Sequence, residues 1–140
     1  MIKIVFILCV SLAIVSCKKA DTCSVSKTTI AGTYLKTAIK YKASSSDPEQ
    51  DLFSGLQPCE QDDTYELKTD GSVVVGNGAT VCPGPPPPGT ITAWSLSADN
   101  KVLTLGAILN INSFDCKTLV VTEKDFFVAG DSKTTTYVKQ

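Results

Sequence analysis

From about residue 30 onward the chain runs in short stretches where apolar and polar side chains alternate with a period of two, the pattern of half-buried β-strands. Residues 30–41 place Leu35, Thr37, Ile39 and Tyr41 on one face and Lys36 and Lys40 on the other. Residues 64–69 set Tyr65 and Leu67 against Glu66 and Lys68, and 72–76 supply the return strand. Further strands are read at 90–97, with Trp94 and Leu96 on one face, at 101–105, with Leu103 and Leu105, and at 108–114, 118–123, 126–129 and 134–139. Turn formers separate them, among them Ala98-Asp99-Asn100 and Gly130-Asp131-Ser132. Residues 43–58 read as a loop with Leu52, Phe53 and Leu56 in a short helix or lid. The run CPGPPPPG at 82–89 cannot donate regularly to a sheet and reads as a stiff, exposed connection. About eight short strands without a useful helical period predict an all-β antiparallel sandwich or closed barrel. Closure is favoured because a barrel leaves no exposed edges.

The N-terminus follows a different pattern. Lys3 precedes an apolar run over 4–15, interrupted only by Ser11. A membrane-spanning helix needs about 20 residues, so this run fits the core of a signal peptide over 1–16. Leu12-Ala13-Ile14-Val15-Ser16-Cys17 resembles the lipobox of bacterial lipoproteins. That resemblance implies cleavage before Cys17, diacylglycerol on its sulfur, palmitate-type acyl chains and a membrane anchor. Lys18 follows Cys17 where inner-membrane retention signals carry Asp, which implies the outer membrane as the destination. The Lys-rich start also resembles surface-export signals of Bacteroidota lipoproteins, and the membrane face is left open. The competing reading is an ordinary cleaved secretory signal. Residues 17–29 then read as a lipidated N-terminus and flexible tether, and 30–140 as one domain.

Export makes cysteine pairing the natural use of Cys23, Cys59, Cys82 and Cys116. Asp70-Gly71 is the residue pair favoured by a two-residue type I′ hairpin turn. A turn centred there pairs Leu67 with Val74 and brings Cys59 opposite Cys82. In an unbroken ladder these two would form a hydrogen-bonded pair, where side chains stand farther apart, so a bulge is expected at Asn77-Gly78. Cys59–Cys82 is the expected bridge, and Cys23–Cys116 follows by elimination. A metal site is the competing use, but no C-x₂-C spacing and no His is present.

Charge narrows the chemistry. The chain carries 13 basic and 14 acidic residues, a net charge of −1 and no His, and every basic residue is Lys. No basic stripe suits nucleic acid, and the commonest general base and metal ligand is missing. Glu60, Asp62 and Asp63, with Asp47, Glu49 and Asp51 nearby, form the strongest acidic group. Paired carboxylates serve glycoside hydrolysis or Ca²⁺ binding, yet their spacing matches no Ca²⁺ loop. They read as solvated loop charge, and neither an enzyme nor a cofactor or metal is expected.

Taken in order, several pieces have a family likeness. Gly32-Thr33-Tyr34 resembles the G-x-W opening of lipocalin-type barrels, with Tyr34 at the Trp position. It is followed by Cys59, Asp62-Asp63, Tyr65, Thr69-Asp70-Gly71-Ser72, Cys82, Trp94-Ser95-Leu96, residues 102–105 (VLTL) and 119–122 (LVVT). This order resembles the lipocalin-like domain of small Bacteroidota lipoproteins across residues 30–139. The resemblance implies an up-and-down barrel of about eight strands, in a family whose members mostly lack an established activity. A barrel of that size holds one small apolar ligand or is filled by its own side chains. Candidate ligand-lining residues are Tyr34, Leu35, Tyr65, Leu67, Trp94, Leu96 and Leu103, with Val74 and Leu119. The competing reading is that they are simply the core. A monomer that binds a small hydrophobic ligand is expected. The alternative is a protein–protein interaction module with a filled core, its handle the proline run.

Overall fold

The structure, a computed structural model, describes residues 23–84 and 91–140. The expected signal peptide, Cys17 and most of the proline run lie outside the described residues. One antiparallel sheet contains β1 (Gly32–Lys42), β2 (Gln50–Asp51), β3 (Thr64–Leu67), β4 (Val73–Gly76), β5 (Trp94–Leu96), β6 (Val102–Leu105), β7 (Ile108–Phe114), β8 (Thr118–Lys124) and β9 (Ser132–Lys139). Its order is β4-β3-β1-β9-β8-β7-β6-β5. The pieces β2 and β3 lie along the same edge of β1, against residues 40–41 and 32–35 respectively. They occupy one strand position, so eight positions run up and down around the ring. The end strands meet at an isolated bridge between Ser72 and Ala93. There Val73 N–H donates to Thr92 O (3.0 Å) and Trp94 N–H to Gly71 O (2.8 Å). The result is a near-closed up-and-down barrel whose end strands meet at this one bridge.

The register gives the barrel a closed end and a mouth. Strands β1, β4, β6 and β8 run from the closed end to the mouth, and the others return. At the closed end, residues 23–31 are part of the fold, although 17–29 read as a tether in the sequence. Helix α1 (Lys27–Ile30) is a single turn with a reciprocal cap. Ser26 Oγ accepts from Thr29 N–H at 3.1 Å, and Thr29 Oγ1 accepts from Ser26 N–H at 3.0 Å. The turn inserts Ile30 into the barrel with no exposed surface. The hydroxyl of Tyr34, equally buried, donates to Ile30 O at 2.6 Å, and burial pushes its pKa up to about 12. Lys139 crosses over this plug, donating to Thr29 O at 2.9 Å with its ammonium 5.7 Å from the Tyr34 ring centre. The Lys139 stem occupies the place a Cβ would take at Gly32, whose φ of 149° suits glycine.

Two local features correct the simple alternation. A bulge at Thr37 shifts the β1–β9 register between Lys36 and Ala38. Before it the even-numbered residues Tyr34 and Lys36 face inward, and after it the odd-numbered Ile39 and Tyr41 do. Leu35 therefore lies on the outer face and Lys36 on the inner one, opposite to the expectation. The second correction is the 68–72 turn. Leu67 pairs with Val73, not Val74, and only Gly71 has positive φ (95°), whereas a type I′ turn needs two such residues. Lys68 O accepts from Gly71 N–H (2.9 Å), and Lys68 N–H donates to Ser72 O (2.9 Å). This is the three-residue loop with a glycine bulge. Asp70 fixes it by accepting from both Ser72 N–H (2.8 Å) and Ser72 Oγ–H (2.6 Å). The shift turns Val73 into the core and leaves Val74 43% exposed on the outside.

Both disulfides are present. Cys23–Cys116 ties the chain ahead of α1 to the β7–β8 turn at the closed end. Cys59–Cys82 joins α2 (Pro58–Gln61) to the segment after β4 at the mouth. The bridge does not span a hairpin ladder, because Cys59 is helical and β4 ends at Gly76. Residues 126–129 form no strand. The Asp131 carboxylate accepts from Phe126 N–H (2.6 Å), Phe127 N–H (2.9 Å) and Val128 N–H (3.1 Å), which removes the donors that a ladder would need. The apolar segment at 52–56 carries a short 3₁₀ turn, Phe53–Gly55, packed beside β1.

Candidate functional site

The barrel is filled at one end only. Tyr34, Leu67, Trp94, Leu103, Leu119 and Val121 pack the closed half, and Trp94 Nε1–H donates to Lys68 O at 2.7 Å. The half toward the mouth contains a cavity of about 340 Å³, within the size range of small-molecule sites. Ile39, Ile91, Leu105 and Leu109 give it an apolar floor and side. The opposite wall is polar and comes from β1, β3, β8 and β9, as Lys36, Tyr65, Glu123, Lys133, Thr135 and Tyr137. A larger depression of about 490 Å³ lies outside the barrel beside the 68–72 turn. It is a shallower surface feature whose only apolar side chains are Ala31 and Leu67.

Strand pairing explains the polar wall. Glu123 and Lys133 are directly opposed on β8 and β9, and their side chains meet at 2.7 Å, both mostly buried. The Lys133 ammonium also sits 3.6 Å from the centre of the Phe126 ring. Tyr65 and Tyr137 meet edge to face at 5.8 Å. Burial, the neighbouring Tyr65 and the Glu123 charge all push the Tyr137 hydroxyl well above its usual range, so it stays protonated and can donate. Lys36 stands beside Tyr137 on the adjacent strand, its ammonium 5.5 Å from the Tyr65 ring centre.

The rim is pinned from the β8–β9 loop. Besides its three amide donors, Asp131 accepts from the Tyr41 hydroxyl at 3.0 Å. The loop leaves Phe127 65% and Val128 59% exposed, with Phe127 against Tyr41 and Phe126. On the other side of the mouth, Asp62 accepts from Thr80 N–H (2.9 Å), which links α2 to the β4–β5 connection near Cys59–Cys82. Burial and the Asp62 charge raise the Asp63 carboxyl above its normal value, against the pull of Lys36. None of Glu60, Asp62 and Asp63 lines the cavity.

Of the candidate lining residues, only Tyr65 reaches this cavity. Tyr34, Leu67, Trp94 and Leu103 are buried in the closed-end core with Leu119, and Leu96 packs against its margin. Leu35 and Val74 face outward. The polar residues Lys36, Glu123, Lys133, Thr135 and Tyr137 are the ones sequence reading missed. Glu123 had a signal, since Leu119 and Val121 set an inward phase on β8 that extends to it. Lys36 had none, because the bulge inverts its face. Comparison of the chain with protein families, curated proteins and solved structures finds no match.

Proposed function

We propose that the protein is a non-catalytic binding module, a lipocalin-like barrel of the kind carried by small Bacteroidota lipoproteins. It takes a small ligand, largely apolar, in its mouth and is anchored to the outer membrane through Cys17. The observation that carries this reading is the cavity of about 340 Å³ with an apolar floor beneath a polar wall. The covalent layout is compatible with it. Cys17 precedes Cys23 by six residues, a reach of at most about 20 Å. Cys23 is fixed at the closed end by its bridge to Cys116. A lipid on Cys17 would therefore hold that end toward the bilayer and leave the mouth accessible.

Native mass spectrometry of residues 18–140, purified from the protein's own cell envelope, tests the reading. The expected result is a reproducible added mass that leaves on denaturation, which also gives the mass of the ligand. A bare protein mass shifts the weight to a second reading, a protein–protein module that uses the rim. The exposed Phe127 and Val128, held in place by Asp131, favour that alternative.

A further inference from the structure

Lys36 is out of place in a barrel interior. Lys36 is half-buried, and residues that break the local pattern without compensation concentrate at functional sites. The other charged pair lining the cavity is self-satisfied, with Glu123 and Lys133 at 2.7 Å. Among the described residues no carboxylate lies within 4.0 Å of the Lys36 ammonium. Asp63, whose carboxyl feels the pull of Lys36, stays beyond that distance and outside the cavity lining. Tyr65 and Tyr137 line the same cavity, and neither hydroxyl has a hydrogen-bond partner among the described residues. Lys36, Tyr65 and Tyr137 thus share a cavity with the apolar Leu105 and Leu109.

We infer that the ligand of the mouth is a singly anionic amphiphile, its acidic group held by Lys36, Tyr65 and Tyr137 and its apolar body on the Leu105–Leu109 side. This rests on the binding reading above and narrows it. One cation without an ion-pair partner among the described residues matches one negative charge, and the nearby Glu123 carboxylate disfavours a second. The bulge at Thr37 makes the arrangement possible, since it lets Lys36 and Ile39 both face inward.

The test uses two fluorescent probes with the same aromatic framework: 1-anilinonaphthalene-8-sulfonate, an anion, and N-phenyl-1-naphthylamine, which is neutral. Each is titrated into residues 18–140 with both disulfides formed. The anion is expected to bind roughly tenfold or more tightly than the neutral probe, the scale of one charged hydrogen bond. Lys36→Met should erase that preference, and an unchanged near-ultraviolet circular dichroism spectrum shows that the variant folds. Lys36→Arg should retain the preference. Equal affinities in the wild type, or a preference that survives Lys36→Met, would overturn the inference while leaving the binding reading intact. If neither probe bound, the binding reading would fail, and the inference with it.

Discussion

At the scale of single residues, Ile30, Lys36 and Asp131 each do something their type does not announce. Ile30 lies on a one-turn helix too short to be stable alone, yet it is fully buried and plugs the barrel. Ile30→Ala should lower unfolding stability by about 2–4 kcal/mol through lost transfer energy and the cavity left behind. Urea titration measures this, and a loss near zero would mean that residues 23–30 only decorate the closed end. Asp131, only 2% exposed, organises a loop through four accepted hydrogen bonds. Lys36 is a charged group facing a cavity.

At the scale of elements, the β1 bulge has the largest consequence. Period two makes the inward face depend on every residue being counted, so one extra residue inverts everything beyond it. Deleting Thr37 should rotate Ile39 and Tyr41 outward or turn Tyr34 and Lys36 around. Each misplaced apolar side chain forfeits about 1.5–3 kcal/mol, a large share of the stability of a domain this size. The expected outcome is loss of the near-ultraviolet circular dichroism of the packed aromatics. A cooperative, native-like deletion variant would show that the register is held elsewhere. The 68–72 hairpin makes the same point on a smaller scale. Asp70-Gly71 marks the turn correctly, but with Gly71 alone at positive φ the loop has three residues and moves Val73 inward.

At the scale of the whole molecule, staples and carboxylate-bound turns distribute the stability. Loop-closure entropy gives about 4.7 kcal/mol for a bridge with the separation of Cys23–Cys116 and about 3.4 for Cys59–Cys82. Three turns at the closed end are held by Asp70, Asp99 and Asp115. The carboxyls of Asp70 and Asp99 are lowered chiefly by the hydroxyls of Ser72 and Ser97, and that of Asp115 by the amides of Thr118 and Lys117. At Asp131 burial raises the pKa, but the loop amides and the Tyr41 hydroxyl outweigh it. A carboxyl lowered by folding stabilises the native state above its unfolded pKa, near 3.8, and loses that contribution as pH falls through the folded value. Asp63, raised in the fold, acts in the opposite sense but is one group against five, since at Asp51 too burial raises the pKa but the amides of Ser54 and Phe53 and the Lys40 charge outweigh it. The urea midpoint should stay level from neutral pH to about pH 5 and fall below about pH 4. A midpoint that rises on acidification would refute this account.

The amino-acid pattern by itself determined the strand-rich class and nearly every strand, which follow from local alternation and turn chemistry. The up-and-down order was what the lipocalin resemblance implied, and the expected cysteine partners are found although the hairpin ladder that suggested them is not. Only the tertiary structure decided which side chains face the cavity. Facing depends on register, and register depends on two irregularities, the Thr37 bulge and the glycine bulge at 71, whose effects appear only when strands pair. The apolar residues that stand out in the sequence went to the closed-end core, because burial claims them first. The polar wall went to residues that read as surface charge, because a barrel filled at one end gives inward positions at the other a different solvent.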